Sequence, residues 1–148
     1  MKVSQIRHTG ITVRNLEKSV AFYRDVLGMK DVGRAERRDE FISRVVGIPN
    51  TYLKMAFLSM GPVTLELLEY VTPNGRPAGV SRPNDVGNLH VAFEVDDIEQ
   101  AYRELKVKGA KFADKPQYVP DGQGKGTGAI YLWDPDGINL ELLQSPKG

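Results

Sequence analysis

The chain contains no cysteine, which excludes disulfide stapling, thiol catalysis and every cysteine-ligated metal site. Histidine is nearly as scarce: His8 and His90 are the only two, so all imidazole chemistry must run through those positions. An excess of one charge is lacking as well. Twenty basic side chains stand against 19 acidic ones, a net charge of +1, and like charges never cluster beyond pairs such as Arg37-Arg38. Nucleic-acid binding, which depends on clustered Lys and Arg neutralising phosphates, is therefore not expected. No apolar run approaches the 18 or so residues of a membrane span, and MKVSQIRHTGITV lacks the apolar stretch of a secretory signal. The expectation is a soluble, cytoplasmic protein with no membrane partner. What is present is ordinary for such a protein: 148 residues, 41% hydrophobic and 26% charged, enough to bury a core in one domain.

The chain repeats itself. His8, Val13, Leu16 and Glu17 recur as His90, Val95, Ile98 and Glu99, each pair 82 positions apart. In both copies a strand-like segment leads into an amphipathic helix. Asn15 caps the first, Leu16, Val20, Tyr23 and Leu27 form its apolar stripe, and Gly28 ends it. Asp97, with Gln100 three residues on, caps the second; Ile98, Ala101, Tyr102 and Leu105 form the stripe and Gly109 ends it. Further on, Leu65-Glu66-Leu67-Leu68 matches Leu140-Glu141-Leu142-Leu143 at an offset of 75. The shorter offset is explained by extra residues in the first half, where Asp39 to Ile48 read as a short helix closed by Gly47 and Pro49. Met60-Gly61-Pro62 and Asp134-Pro135-Asp136-Gly137 mark hairpin turns at matching places. Each half is thus strand, helix and three strands. Two tandem βαβββ modules, at about 4–70 and 89–144 with a Pro/Gly-rich linker over 71–88, make a single α+β domain.

Strand alternation places the polar residues. Leu89, Val91, Phe93 and Val95 share the face that packs under the helix, which leaves His90, Ala92 and Glu94 on the other. Ile11 and Val13 repeat that pattern, with His8, Gly10 and Thr12 opposite, where the small residues leave room for a ligand. Glu66 and Glu141 sit among leucines, where a carboxylate needs a cation. Glu69, three residues from Glu66 and so on the other face, reads as a surface charge. Two imidazoles and two carboxylates at repeat-equivalent positions suit one divalent ion, Zn, Ni, Co, Mn or Fe, with two coordination positions left for water or substrate.

HTGITVRNLEKSVAFYRDVLGMK, GNLHVAFEVDDIEQAYRELKVKGAKF and YLWDPDGINLELLQ together resemble the vicinal oxygen chelate superfamily, which includes glyoxalase I, methylmalonyl-CoA epimerase, extradiol dioxygenases and antibiotic-resistance proteins. The resemblance spans nearly the whole chain. It implies an open, cup-shaped mixed β-sheet and a metal held by His8, Glu66, His90 and Glu141. That ligand set is similar to the one in bacterial glyoxalase I, whereas the epimerases typically carry Gln where Glu66 stands. It further implies that a ligand glutamate, Glu141 or Glu66, doubles as the catalytic base.

An ion with two open positions can bind adjacent substrate oxygens and stabilise the charge that develops when a proton leaves the carbon next to a carbonyl. The expected function is metal-dependent proton transfer of the glyoxalase or epimerase kind on a small molecule with a carbonyl and an adjacent oxygen. The alternatives are a non-catalytic protein that sequesters a small molecule and a metal-dependent dioxygenase. A homodimer is expected. Segments 39–50 and 121–128 precede the strands that carry the glutamates and should flank the cleft, so Arg37, Arg38, Arg44 and Lys125 are candidates to bind an anionic group on the substrate. The glycine-rich segment around Lys125 lacks the spacing of a phosphate-binding loop and reads as a connecting loop.

Overall fold

In each half of the chain the first strand pairs in parallel with the last, which fixes where the repeated histidines and glutamates meet. The computed structural model describes residues 3–76 and 82–146, in two compact units, Met1–Pro77 and Ala78–Gly148. The first unit runs β1 (Thr9–Thr12), α1 (Leu16–Ala21), a π-helical turn (Phe22–Val26), β2 (Lys30–Arg37), α2 (Glu40–Val46), β3 (Tyr52–Met60) and β4 (Val63–Thr72). Its sheet has the order β1-β4-β3-β2, parallel only between β1 and β4.

The Asn15 side chain accepts from the Lys18 backbone N–H at 2.9 Å, satisfying one of the donors that a helix start leaves free. A second acceptor arrives from a distant strand: Glu69 Oε2 takes the Leu16 N–H at 2.7 Å. Glu69 is therefore half-buried against the helix start and not the surface charge that alternation suggested. The expected single helix to Leu27 is also corrected. From Phe22 the backbone widens into a π turn, with Leu27 N–H bonding to Phe22 O at 3.2 Å and Met29 N–H to Tyr23 O at 2.9 Å. The extra residue in that turn brings Met29 into the core, while Leu27 is only half-buried.

Ile11, Val13, Ala56, Leu58, Leu65 and Leu67 face α1 and are buried with Leu16, Val20 and Tyr23. The other face of the same sheet is covered in part by α2, whose Ile42 and Val46 pack with Leu53 and Met55. The sequence places this inserted helix correctly: Asp39 caps it by accepting from Ile42 N–H at 3.0 Å, and Gly47 closes it at φ 70°. The face it covers follows only from the three-dimensional structure.

The second unit comprises β5 (His90–Glu94), α3 (Ile98–Val107), β6 (Lys111–Phe112), β7 (Gln117–Tyr118), β8 (Gly128–Trp133) and β9 (Asn139–Gln144). Its sheet has the order β5-β9-β8-β6, and β7 also pairs with β8. The strand expected after the helix is thus an edge in two pieces, β6 against Leu132 and Trp133 and β7 against Gly128 and Ala129. Asp97 accepts from Gln100 N–H at 2.9 Å to cap α3, and Gln144 Oε1 takes the Ile98 N–H at 2.8 Å, as Glu69 does in the first unit. Leu89, expected under the helix, stands ahead of β5 and is 57% exposed. Of the linker expected over 71–88, residues 71 and 72 belong to β4, and 77–81 lie outside the described residues. Among the described residues no helix is long and apolar enough to cross a membrane.

The turn between β8 and β9 depends on one side chain. Buried Asp134 accepts with Oδ1 from the N–H groups of Asp136 and Ile138, both at 2.8 Å, while Gly137 takes φ 85°. Asp134→Ala leaves both donors without that acceptor and should cost about 1–3 kcal/mol, read as a lower midpoint in denaturant titration.

Candidate functional site

Both units build the same local arrangement from the same register. Parallel pairing sets Gly10 opposite Glu66 in one and Ala92 opposite Glu141 in the other, so each glutamate lies beside the residue two after a histidine. The next bond also repeats: Val13 N–H to Leu68 O and Val95 N–H to Leu143 O, each 2.8 Å. As a result His8 Nε2 lies 3.0 Å from Glu66 Oε2, and His90 Nε2 lies 3.1 Å from Glu141 Oε2. Their exposures match as well, 39% and 15% against 41% and 17%. Both glutamates point away from the face that packs under α1 or α3, because their leucine neighbours take that side. Residue size at the paired position matters. A side chain at Gly10 would bring its Cβ to 3.3 Å from Leu68 Cδ1.

These pairs fit a divalent ion. Two ligands about 2.1 Å from one ion and at right angles to each other are about 3.0 Å apart, the separation seen in both units. Imidazole nitrogen and carboxylate oxygen are donors that Zn, Ni, Co, Mn and Fe accept. Asn139 adds a supporting feature. It is in register with His90, 5% exposed, and its Oδ1 is buried without a hydrogen-bond partner. A ligand imidazole commonly gives its second N–H to such an acceptor. Among the described residues no group of three or more His, Asp or Glu is placed to hold a metal ion; the structure brings the candidates together as pairs, His8 with Glu66 and His90 with Glu141.

Alternation did not single out the aromatic neighbours. Phe57 stands directly across from Glu66 and Tyr131 directly across from Glu141, on the same sheet faces as the carboxylates. Neither position carries a motif, and only the strand register reveals the correspondence. Trp133 is half-buried beside Asn139.

The basic candidates lie in two other places. Arg44 on α2 is bonded to Glu40 Oε1 at 2.5 Å and, with Arg38, Ser43, Asn50 and Tyr52, borders a cavity of about 660 Å³. Arg38 lies over the Tyr52 ring at 5.5 Å, whereas Arg37 pairs with Asp39 at 3.3 Å. The hydrogen bond from Ile42 N–H, followed by Arg37, holds the Asp39 carboxyl below its ordinary value. Lys125 lines a different cavity, of about 690 Å³, with Glu99, Arg103, Tyr118 and Gln144, at the N-terminal end of α3. There burial, then the bond to Glu99, pushes the Tyr118 phenol up. The segment around Lys125 is a series of tight turns, with Gly122, Gly124 and Gly126 all at positive φ.

Comparison with known proteins identifies relatives of the chain. The profile of the Glyoxalase/Bleomycin resistance protein/Dioxygenase superfamily matches residues 5–142. A 2-epi-5-epi-valiolone epimerase from Actinomyces sp. is 30% identical over 148 residues, covering 97% of this chain and 80% of that protein. A lactoylglutathione lyase from Neisseria meningitidis is 31% identical over 146 residues, covering 97% and 93%. In fold, a glyoxalase family protein from Bacillus cereus superposes with a TM-score of 0.86 at 24% identity, covering 99% of this chain and 97% of the other.

Proposed function

Since this chain belongs to the Glyoxalase/Bleomycin resistance protein/Dioxygenase superfamily, we propose that it is an enzyme moving a proton next to the carbonyl of a small molecule. In this reading one divalent ion is held jointly by His8, Glu66, His90 and Glu141, and the two modules act as a single domain. The observation that carries the reading is the twin His–Glu pair, 3.0 and 3.1 Å across, at the same register of both units. Epimerase and lyase relatives at about 30% identity support a chemistry of this class.

When bound, the ion supplies Lewis acidity to two adjacent substrate oxygens. The chain's own groups handle the proton. Glu66 and Glu141 are the carboxylates on the sheet faces turned away from α1 and α3, each held in place by its histidine. With no other imidazole in the chain, one of these two takes the proton and returns it, either to the carbon it left or to the neighbouring one. A homodimer is carried with the reading and is measured by sedimentation of the metal-loaded protein.

The experiment is proton exchange in deuterated water, followed by NMR, with the hemithioacetal of methylglyoxal and glutathione and with a methylmalonyl thioester as probes. Deuterium should enter the carbon next to the carbonyl of one probe. Purified protein that holds no metal and binds a small molecule unchanged would favour a sequestering role. Consumption of dioxygen without exchange would favour a dioxygenase.

Each of Arg44 and Lys125 lines a cavity that includes none of His8, Glu66, His90 and Glu141, so their proposed contact with an anionic arm of the substrate is decided by substitution. Arg44→Ala and Lys125→Ala should each raise the KM for an anionic substrate about 2- to 5-fold, the range of a solvent-screened charge contact, while metal content stays the same. An unchanged KM returns the residue to the surface.

A further inference from the structure

The two units match in their His–Glu pairs but differ in the aromatic residue across from the carboxylate. In unit 1 that residue is Phe57, in unit 2 Tyr131. The Tyr131 ring lies 5.3 Å from the His90 ring at a tilt of 47°, so it touches one member of the pair while standing opposite the other. Its backbone is committed to the sheet edge, where its carbonyl accepts from Ala113 N–H at 3.0 Å. Its hydroxyl, by contrast, has no hydrogen-bond partner among the described residues, although Tyr52, Tyr102 and Tyr118 all use theirs. Phe57 shows that an aromatic ring without a hydroxyl suits this position in the repeat. No protein contact among the described residues therefore accounts for a hydroxyl at this position.

We propose that Tyr131 is a further catalytic residue, whose hydroxyl donates a hydrogen bond to the substrate oxygen next to the carbon that exchanges its proton with Glu141. The inference rests on the proton-transfer reading and deepens it. As the C–H bond breaks, the proton goes to the Glu141 carboxylate and the electron pair moves onto the neighbouring oxygen; on return both shifts reverse. The phenol gives up no proton. It is already in place where charge develops, and a fixed donor of that kind bonds more strongly to the charged oxygen than to the neutral carbonyl. The two half-sites are thereby unequal: alike in the ligands they offer, they differ in that only unit 2 brings a donor to the substrate. Glu141, the carboxylate beside that donor, is accordingly the one that works on the reacting carbon.

Tyr131→Phe keeps the ring against His90 and removes only the hydroxyl. In metal-loaded protein it should lower kcat about 10²–10³-fold, the effect of deleting one such donor, with KM changed less than about threefold and metal content and Tm unchanged. A fall in kcat of less than about tenfold overturns the proposal. So does loss of metal or of the fold in Tyr131→Phe, because the hydroxyl would then be structural. A second probe separates this proposal from the functional reading. Acetohydroxamate presents two adjacent oxygens, one of them anionic, and its affinity for metal-loaded protein can be titrated without turnover. If the wild type exchanges no proton with either carbonyl probe, the proton-transfer reading falls and the titration alone decides. Binding about tenfold weaker to Tyr131→Phe sustains a donor at that place, and equal binding overturns it.

Discussion

Replacing Glu141 by glutamine should reduce turnover about 10²–10⁴-fold while leaving the metal in place. The amide keeps an oxygen of similar size and position, so the contact with His90 Nε2, 3.1 Å in the wild type, has a replacement and ligation is only weakened. What is lost is basicity. An amide oxygen cannot hold a proton at neutral pH, and positioned acid–base groups typically contribute rate factors of this size, about 3–5 kcal/mol in barrier height. Glu66→Gln is the informative comparison because its surroundings are so similar: a histidine at 3.0 Å and almost equal exposure. If the Tyr131 hydroxyl selects which carboxylate works, Glu66→Gln keeps far more activity than Glu141→Gln. Full activity in Glu141→Gln removes that residue from the role. The measurement is kcat alongside metal content for both variants.

Stripping the metal should lower the melting temperature by on the order of 10 °C. Each glutamate is mostly enclosed, between leucines that point to the opposite side of its strand, and a cation offsets the cost of keeping the carboxylate charged there. An ion present at about 1,000 times its dissociation constant adds about 4 kcal/mol to the folded state. For a chain of this length each kcal/mol moves the midpoint by about 2–4 °C. Calorimetry with and without a chelator reads the shift, and elemental analysis supplies the stoichiometry that interprets it. One ion per chain corresponds to both pairs sharing it, two per chain to each pair acting alone. An unchanged midpoint after chelation of fully loaded protein would show that these four residues do not bind as a coupled site.

The parts of this site legible in the sequence are those that repeat or obey a local rule. Two histidines at one position of a repeat, two glutamates at another, the caps at Asn15, Asp39 and Asp97, and the stop glycines all depend on residues a few positions apart. Strand alternation then separates His8 and His90 from the helix-packed face. What escaped the sequence depends on partners distant along the chain. Glu69 reaches the start of α1 across 53 residues and Gln144 reaches α3 across 46, contacts that no local pattern encodes. The π turn at Phe22 follows from which side chain the core accepts, Met29 and not Leu27, and helical periodicity is silent on that choice. The pairing of Tyr131 with Glu141 requires the β8–β9 register, which the four-residue turn from Asp134 shifts by one relative to the first half: Glu141 lies ten positions after Tyr131, Glu66 nine positions after Phe57.

The outermost strands give the two sheets different protection against unwanted growth. A chain that carries one strand pattern twice can mispair while folding, since an edge of either sheet is a template for any extended segment, its own or another molecule's. β2 guards its edge with charge of both signs: Lys30, Asp31, Arg34, Glu36 and Arg37 fall within eight residues. The second sheet instead interrupts its edge, with Ala113 to Pro116 dividing β6 from β7 so that neither piece exceeds two residues. Resistance to mispairing at these edges thus rests on the cost of stripping water from charged side chains at one and on brevity at the other. Replacing the β2 charges by uncharged residues, which removes only the first, should expose β2 as the aggregation-prone edge.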